Sequence, residues 1–182
     1  QATTRGPVVY LTEERLPSFN AALQRAGLIE RHDLHILSFW DLADTSWPGI
    51  CRLARAQCAQ VNARLLIIDT LSQFGGFTGE QENNSGDANT ALAPLQQIAH
   101  RLPLAVIVVR HDGKSGGAVG DAARGSGQFT AGVDIVLHLG PREGGGEPTQ
   151  RELTALSRFE ETPPALVIDR ILSDQSREEV WA

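Results

Sequence analysis

Leu65-Leu66-Ile67-Ile68-Asp69 decides the fold, because four consecutive aliphatic residues are closed by an acid. A run this short and this uniformly apolar predicts a strand buried on both faces of a parallel sheet, since a strand with one solvated face would alternate. Toward the N-terminus, Pro48 suits a first helical turn. Ile50, Leu53, Ala54, Cys58 and Val61 then repeat at three and four residues, which predicts a helix leading into that strand. Further back lies Leu34-His35-Ile36-Leu37-Ser38, a second strand. It is preceded by a helix over Leu16 to Ala26 that carries Phe19, Leu23 and Ala26 on one side and stops at Gly27. Val8-Val9-Tyr10-Leu11, closed by the polar Thr12-Glu13-Glu14, predicts a first strand whose carboxyl end faces a cleft.

Toward the C-terminus, Gln73 to Asp87 is rich in glycine and asparagine and predicts a flexible loop. Ala88 to Leu102 predicts a helix in spite of Pro94. Leu104 to Val109 is another aliphatic strand, ending at Arg110-His111. Asp112 to Gly127 is glycine-rich, carries Lys114 and Arg124, and predicts a mobile loop. Val133 to Leu139 predicts a strand and Gly140 to Pro148 a turn. Glu152 to Phe159 and Leu166 to Leu172 predict two antiparallel strands joined at Thr162-Pro163-Pro164.

Alternating strands and helices imply right-handed crossovers. The expected fold class is therefore α/β: a doubly wound, mostly parallel sheet over residues 1–172 with an antiparallel hairpin at its C-terminal edge. Residues 173–182 are expected to form a charged, frayed tail.

The 182 residues are 41% hydrophobic and 21% charged, which predicts one globular domain with a sizeable core. No apolar run approaches the roughly 18 residues of a membrane-spanning helix, so no membrane partner is expected and a cytoplasmic location is. A net charge of −6 argues against a surface that grips nucleic acid all over. Cys51 and Cys58 lie two helical turns apart on one face, too distant for an unstrained disulfide, and are expected to be buried thiols. The sequence begins with Gln1 and contains no methionine, so it is expected to continue upstream.

In open α/β sheets, ligands bind beyond the carboxyl ends of the strands. Glu14, Asp69 and His111 each follow a predicted parallel strand, which puts them on one rim. An aliphatic strand ending in Asp suits a magnesium site, where the carboxylate orients a hard cation against phosphates, although Asp also closes strands as a helix cap or turn residue. Glu14 suits a group that orients or deprotonates an attacking water, although a Glu in a first helical turn is favoured by the dipole alone. His111 and Lys114 suit sensing of a terminal phosphate, passed on to the glycine-rich loop behind them. Gly113-Lys114-Ser115 imitates the end of the phosphate loop G-x-x-x-x-G-K-[ST]. The first glycine of that motif would fall at Val108, and no helix-forming stretch follows. No other stretch fits the motif.

The order of these features resembles the RecA-like P-loop ATPases, particularly the RepA-type replicative helicase branch related to the DnaB-type and RadA-type proteins. The resemblance runs over nearly the whole chain. It is carried by Val8 to Glu14, Leu65 to Thr70, Val108 to Lys114, Arg124-Gly125-Ser126 and Leu156-Ser157-Arg158-Phe159. It implies that the first strand and its phosphate loop belong upstream of residue 1, and that ATP and Mg2+ are the cofactors. By motif position it implies Glu14 as the catalytic glutamate, Asp69 as the metal-orienting aspartate, His111 as the phosphate sensor, and Thr70 and Lys114 beside the nucleotide. Arg158 falls at the arginine finger that reaches a neighbouring subunit's nucleotide, but Leu156 stands where the family often has Lys. Lys114 and Arg124 are the implied contacts to single-stranded DNA.

The implied function is an ATP-hydrolysing motor that forms rings of like subunits, hexamers in this reading, and acts on single-stranded DNA. Its ATPase or helicase activity would reside in the full-length parent, and these 182 residues alone are expected to be inactive. The alternative is a non-catalytic RecA-like module serving regulation or assembly.

Overall fold

The structure, a computed structural model, describes residues 5–76, 85–111, 127–142, 144–145, 147–172 and 179–181. Its first half runs β1 (Val8–Thr12), α1 (Leu16–Arg25), β2 (Leu34–Ser38), α2 (Phe39–Leu42), α3 (Trp47–Val61), β3 (Leu65–Asp69), α4 (Leu71–Gly75), α5 (Ser85–Arg101) and β4 (Ala105–Val108). The second half runs α6 (Gly127–Ala131), β5 (Ile135–Pro141), β6 (Gln150–Ser157), β7 (Ala165–Leu172) and β8 (Glu179–Trp181).

The first four strands form an all-parallel sheet in the order β2-β1-β3-β4. Going from β1 to β2 the chain moves one way along the sheet; going from β2 to β3 and from β3 to β4 it moves the other way. Crossovers of constant hand therefore lay α1 on one face and α3 and α5 on the opposite face. Burial follows this division. Val9, Leu11, Leu66 and Ile68 point at α3 and α5 and are fully buried, together with Ile50, Ala54 and Cys58 of α3 and Ala88, Ala91, Leu92, Leu95 and Ile98 of α5. The three- and four-residue spacing of the last group keeps α5 helical through Pro94. The indole N–H of Trp47 donates to the carbonyl of Ala91 at 3.1 Å and ties α3 to α5.

On the other face, Phe19 of α1 packs its ring against Tyr10 with centroids 5.2 Å apart. Beyond α1 that face is open: Leu65 and Ile67 are half-buried, and Ile107 is 46% exposed. The expectation that β3 is buried on both faces thus holds on one face only, because among the described residues α1 covers just part of the second.

Helix ends match the local sequence. α1 closes with Gly27 at φ +64°, as the Gly27 amide bonds the Gln24 carbonyl and the Leu28 amide bonds the Leu23 carbonyl. α3 closes on Asn62 at φ +52°, a left-handed position that Asn tolerates better than most residues.

The antiparallel strands β5-β6-β7, with β8 on the far side of β7, form a separate sheet and do not extend the parallel one. The sequence predicts a single sheet with an edge hairpin; the division into two leaves β4 and β5 each as an edge strand among the described residues. Two local expectations also change. Gln73 to Gly75, predicted as loop, belongs to the helical turn Leu71–Gly75, because Leu71 and Phe74 are buried against the core. Part of the tail expected to fray is ordered, since Glu179–Trp181 pairs with β7 from Arg170 to Leu172. The loop predicted over Asp112 to Gly127 lies, up to Ser126, outside the described residues.

Candidate functional site

The in-register pairing Thr12↔Asp69 and Ile68↔Val108 sets the ends of β1, β3 and β4 side by side. Past β4 the chain stays against β3: the Val109 amide donates to the Ile68 carbonyl at 2.9 Å, and the Leu71 amide donates to the Val109 carbonyl at 3.0 Å. Glu14, Asp69 and His111 therefore leave adjacent strands at one rim, with His111 exposed two residues past Val109.

Two carboxylates at this rim have different surroundings. Glu13 is half-buried and held from three sides. Its amide donates to the Asp69 carbonyl at 2.9 Å, its carbonyl accepts from the Trp40 indole at 3.2 Å, and its Oε2 accepts from the Thr70 hydroxyl at 2.8 Å. Glu14 is exposed. Its amide donates to the Thr12 hydroxyl at 3.1 Å, which fixes where the side chain starts without engaging the carboxylate. The neighbouring glutamates are thus divided between a clamp and an accessible carboxylate.

Asp69 has a partner that sequence reasoning passed over: the Tyr10 hydroxyl donates to Asp69 Oδ2 at 2.6 Å. Burial pushes the phenol well above the ordinary tyrosine range, and the hydrogen bond to Asp69 and the charges of Asp69 and Glu14 push it further. One phenol therefore feels both carboxylates, which brings Glu14 and Asp69 into one electrostatic neighbourhood. A tyrosine inside a β-rich run reads as a strand former. The signal that marks it is its parity with Thr12, because the pairing Thr12↔Asp69 turns both residues and Tyr10 to one face.

The remaining predicted residues fall in three places. Thr70 is buried, with its hydroxyl committed to Glu13. Arg158 follows β6, and its exposed guanidinium is held within its own chain: Nη2 donates to the Ala131 carbonyl at 2.6 Å and Nη1 lies 3.6 Å from Asp134 Oδ1. Lys114 and Arg124 lie outside the described residues. Beside the rim, Arg15, Leu16, Ser38, Trp40 and Asp41 line an open cleft in which Trp40 is 56% exposed.

The donor set fits magnesium better than a metal held by protein alone. No group of three or more His, Cys, Asp or Glu residues gathers among the described residues. Mg2+ is commonly held by one or two carboxylates with water and substrate phosphates supplying the rest, and the single carboxylate of Asp69 meets that need while the exposed carboxylate of Glu14 stays open to a water.

The family model described as an AAA domain matches residues 1–117, which takes in all four parallel strands and the rim. No curated protein matches the chain. Among solved structures, the KaiC-like protein of the hyperthermophilic archaeon Pyrococcus horikoshii is similar in fold, with a TM-score of 0.60 at 16% identity. The similarity covers 97% of this chain and 76% of that one, so the α/β arrangement is RecA-like over nearly its whole length.

Proposed function

We propose that this chain, which belongs to the AAA domain family, supplies the carboxylate side of an ATP-hydrolysing motor site. The observation that carries the reading is the convergence of Glu14, Asp69 and His111 on three adjacent strand ends, with the Tyr10 phenol hydrogen-bonded to Asp69. Mg2+, when bound with ATP, neutralises charge on the phosphates. Asp69 would orient it, Glu14 would position and deprotonate the attacking water, and His111 would face the terminal phosphate. Glu13 holds the Thr70 end of the rim in place and takes no part in proton transfer.

The phosphate cradle of this reading comes from a strand and loop outside the 182 residues, where G-x-x-x-x-G-K-[ST] has no match. The open edges of β4 and β5 support it, because the RecA-like resemblance implies an additional strand inside the sheet. The finer reading is a ring of like subunits, hexameric by resemblance, with Arg158 reaching a neighbour's nucleotide and Lys114 and Arg124 meeting single-stranded DNA. The lack of the phosphate-loop motif also favours a second reading, a non-catalytic module.

Mg2+-dependent ATP hydrolysis, measured on this chain alone and on the chain joined to its native upstream coding segment, separates the two. The motor reading expects turnover only from the joined form, lowered by ~10²–10⁴-fold by Glu14→Gln and lost with Asp69→Asn. No turnover from the joined form, or turnover indifferent to both substitutions, leaves the non-catalytic module.

A further inference from the structure

We propose that Tyr10 is a positioning residue for Asp69, holding its carboxylate in one rotamer before any cation arrives. The inference rests on the reading of Asp69 as the metal-orienting group. Its geometry is independent of that reading. Tyr10 is the second residue before Thr12, the register partner of Asp69, so its side chain rises on the face toward which Asp69 points. The 2.6 Å contact from the phenol to Oδ2 is in the range of charge-assisted O–H···O⁻ bonds, which are about twice as strong as neutral ones. The donor is itself held, because Phe19 of α1 packs against the phenol ring at 5.2 Å, tilted by 55°.

An unrestrained aspartate at a strand end samples several χ1 wells, and a cation must then select one of them. With Oδ2 occupied by the phenol, one carboxylate orientation is kept and Oδ1 remains for a cation or a cation-bound water. A group that orients a metal ligand in this way commonly changes metal affinity by about 10–100-fold when removed. Among the described residues the Tyr10 hydroxyl donates to Asp69 Oδ2, which joins the half-buried ring to the carboxylate.

The test uses the labelled chain and its Tyr10→Phe variant, which retains the ring against Phe19. Three-bond couplings from Asp69 Cγ to the backbone nitrogen and carbonyl carbon report χ1. One rotamer is expected in the unmodified chain and averaged couplings in Tyr10→Phe, with matching circular dichroism showing that both fold. Tyr10 is the single tyrosine of the sequence, so its labelled ring carbon gives one resonance, and Asp69→Asn is expected to move it. Water-proton relaxation with Mn2+ and ATP, measured on the chain joined to its native upstream coding segment, then reads cation binding. Tyr10→Phe is expected to weaken it about tenfold, and Asp69→Asn to weaken it more. Unchanged Asp69 couplings in Tyr10→Phe, or a freed Asp69 with undiminished Mn2+ binding, overturn the positioning role. Mn2+ binding indifferent to Asp69→Asn overturns the reading of the site instead, while the couplings still report on the pair.

Discussion

The parallel sheet and the antiparallel sheet are built from similar apolar-rich runs, Leu65 to Ile68 in one and Ile135 to Leu139, broken by His138, in the other, yet they meet solvent differently. Leu66 and Ile68 are fully buried, whereas Leu137 is 54% and Leu139 58% exposed. Composition does not separate them; connection type does. Parallel neighbours need long crossovers, and two of these lay α3 and α5 over one face of β1 and β3. The links β5 to β6 and β6 to β7 join antiparallel partners directly, with no helix among their described residues to lie over Ile135, Leu137, Leu139 and Leu166. The family match follows the same division, ending at residue 117 before the second sheet begins.

The widest contrast expected is chemical. Burial pushes the Cys51 thiol up to about 12 and the Cys58 thiol up to about 11, so both stay protonated at pH 8. Alkylation by iodoacetamide in the native chain is expected to be on the order of a hundredfold or more slower than in denaturant. Fast native labelling, followed by mass spectrometry, would break the picture of a closed core around the parallel sheet. In thermodynamic terms, Ile68→Ala is expected to lower unfolding stability by about 2–5 kcal/mol through lost burial and a residual cavity. Urea denaturation checks this, and a loss below 1 kcal/mol would count against the packing of α3 and α5 on β3.

The two glutamates sharpen the contrast at the rim. Glu13→Ala leaves the buried Thr70 hydroxyl without its charged acceptor and is expected to cost about 1.5–3 kcal/mol. Glu14→Gln is expected to leave stability within about 0.5 kcal/mol while acting on hydrolysis. Equal thermal shifts for the pair would contradict the division of labour. The smallest stability effect is expected in the second sheet, where Leu137→Lys with Leu139→Lys changes unfolding by no more than about 0.5 kcal/mol. The same double variant is expected to reduce concentration-dependent self-association in sedimentation runs, since an exposed apolar face invites it.

Local structure was legible where the chain's own periodicity decides it. Leu34–Ser38 and Leu65–Asp69 are strands over the residues predicted, and the α1 stop at Gly27 follows from a positive φ that glycine accepts. Placing Glu14, Asp69 and His111 on one rim needed only the order of strands and helices. Other features depend on contacts distant in sequence. Gln73 to Gly75 reads as the start of a loop because glycines and asparagines follow it, but Phe74 finds the core and holds a helical turn. The break between β4 and β5 is a pairing decision that no local pattern encodes. The Tyr10 contact with Asp69 spans 59 residues and follows from register, which alternation within a single strand does not supply.

Glu13 also determines how the rim can move. Through its amide, its carbonyl and its carboxylate it is tied to Asp69, to Trp40 at the start of α2, and to Thr70. The ends of β1, β2 and β3 are thereby tied at a single residue, so a displacement of Glu14 bears directly on the starts of α2 and α4.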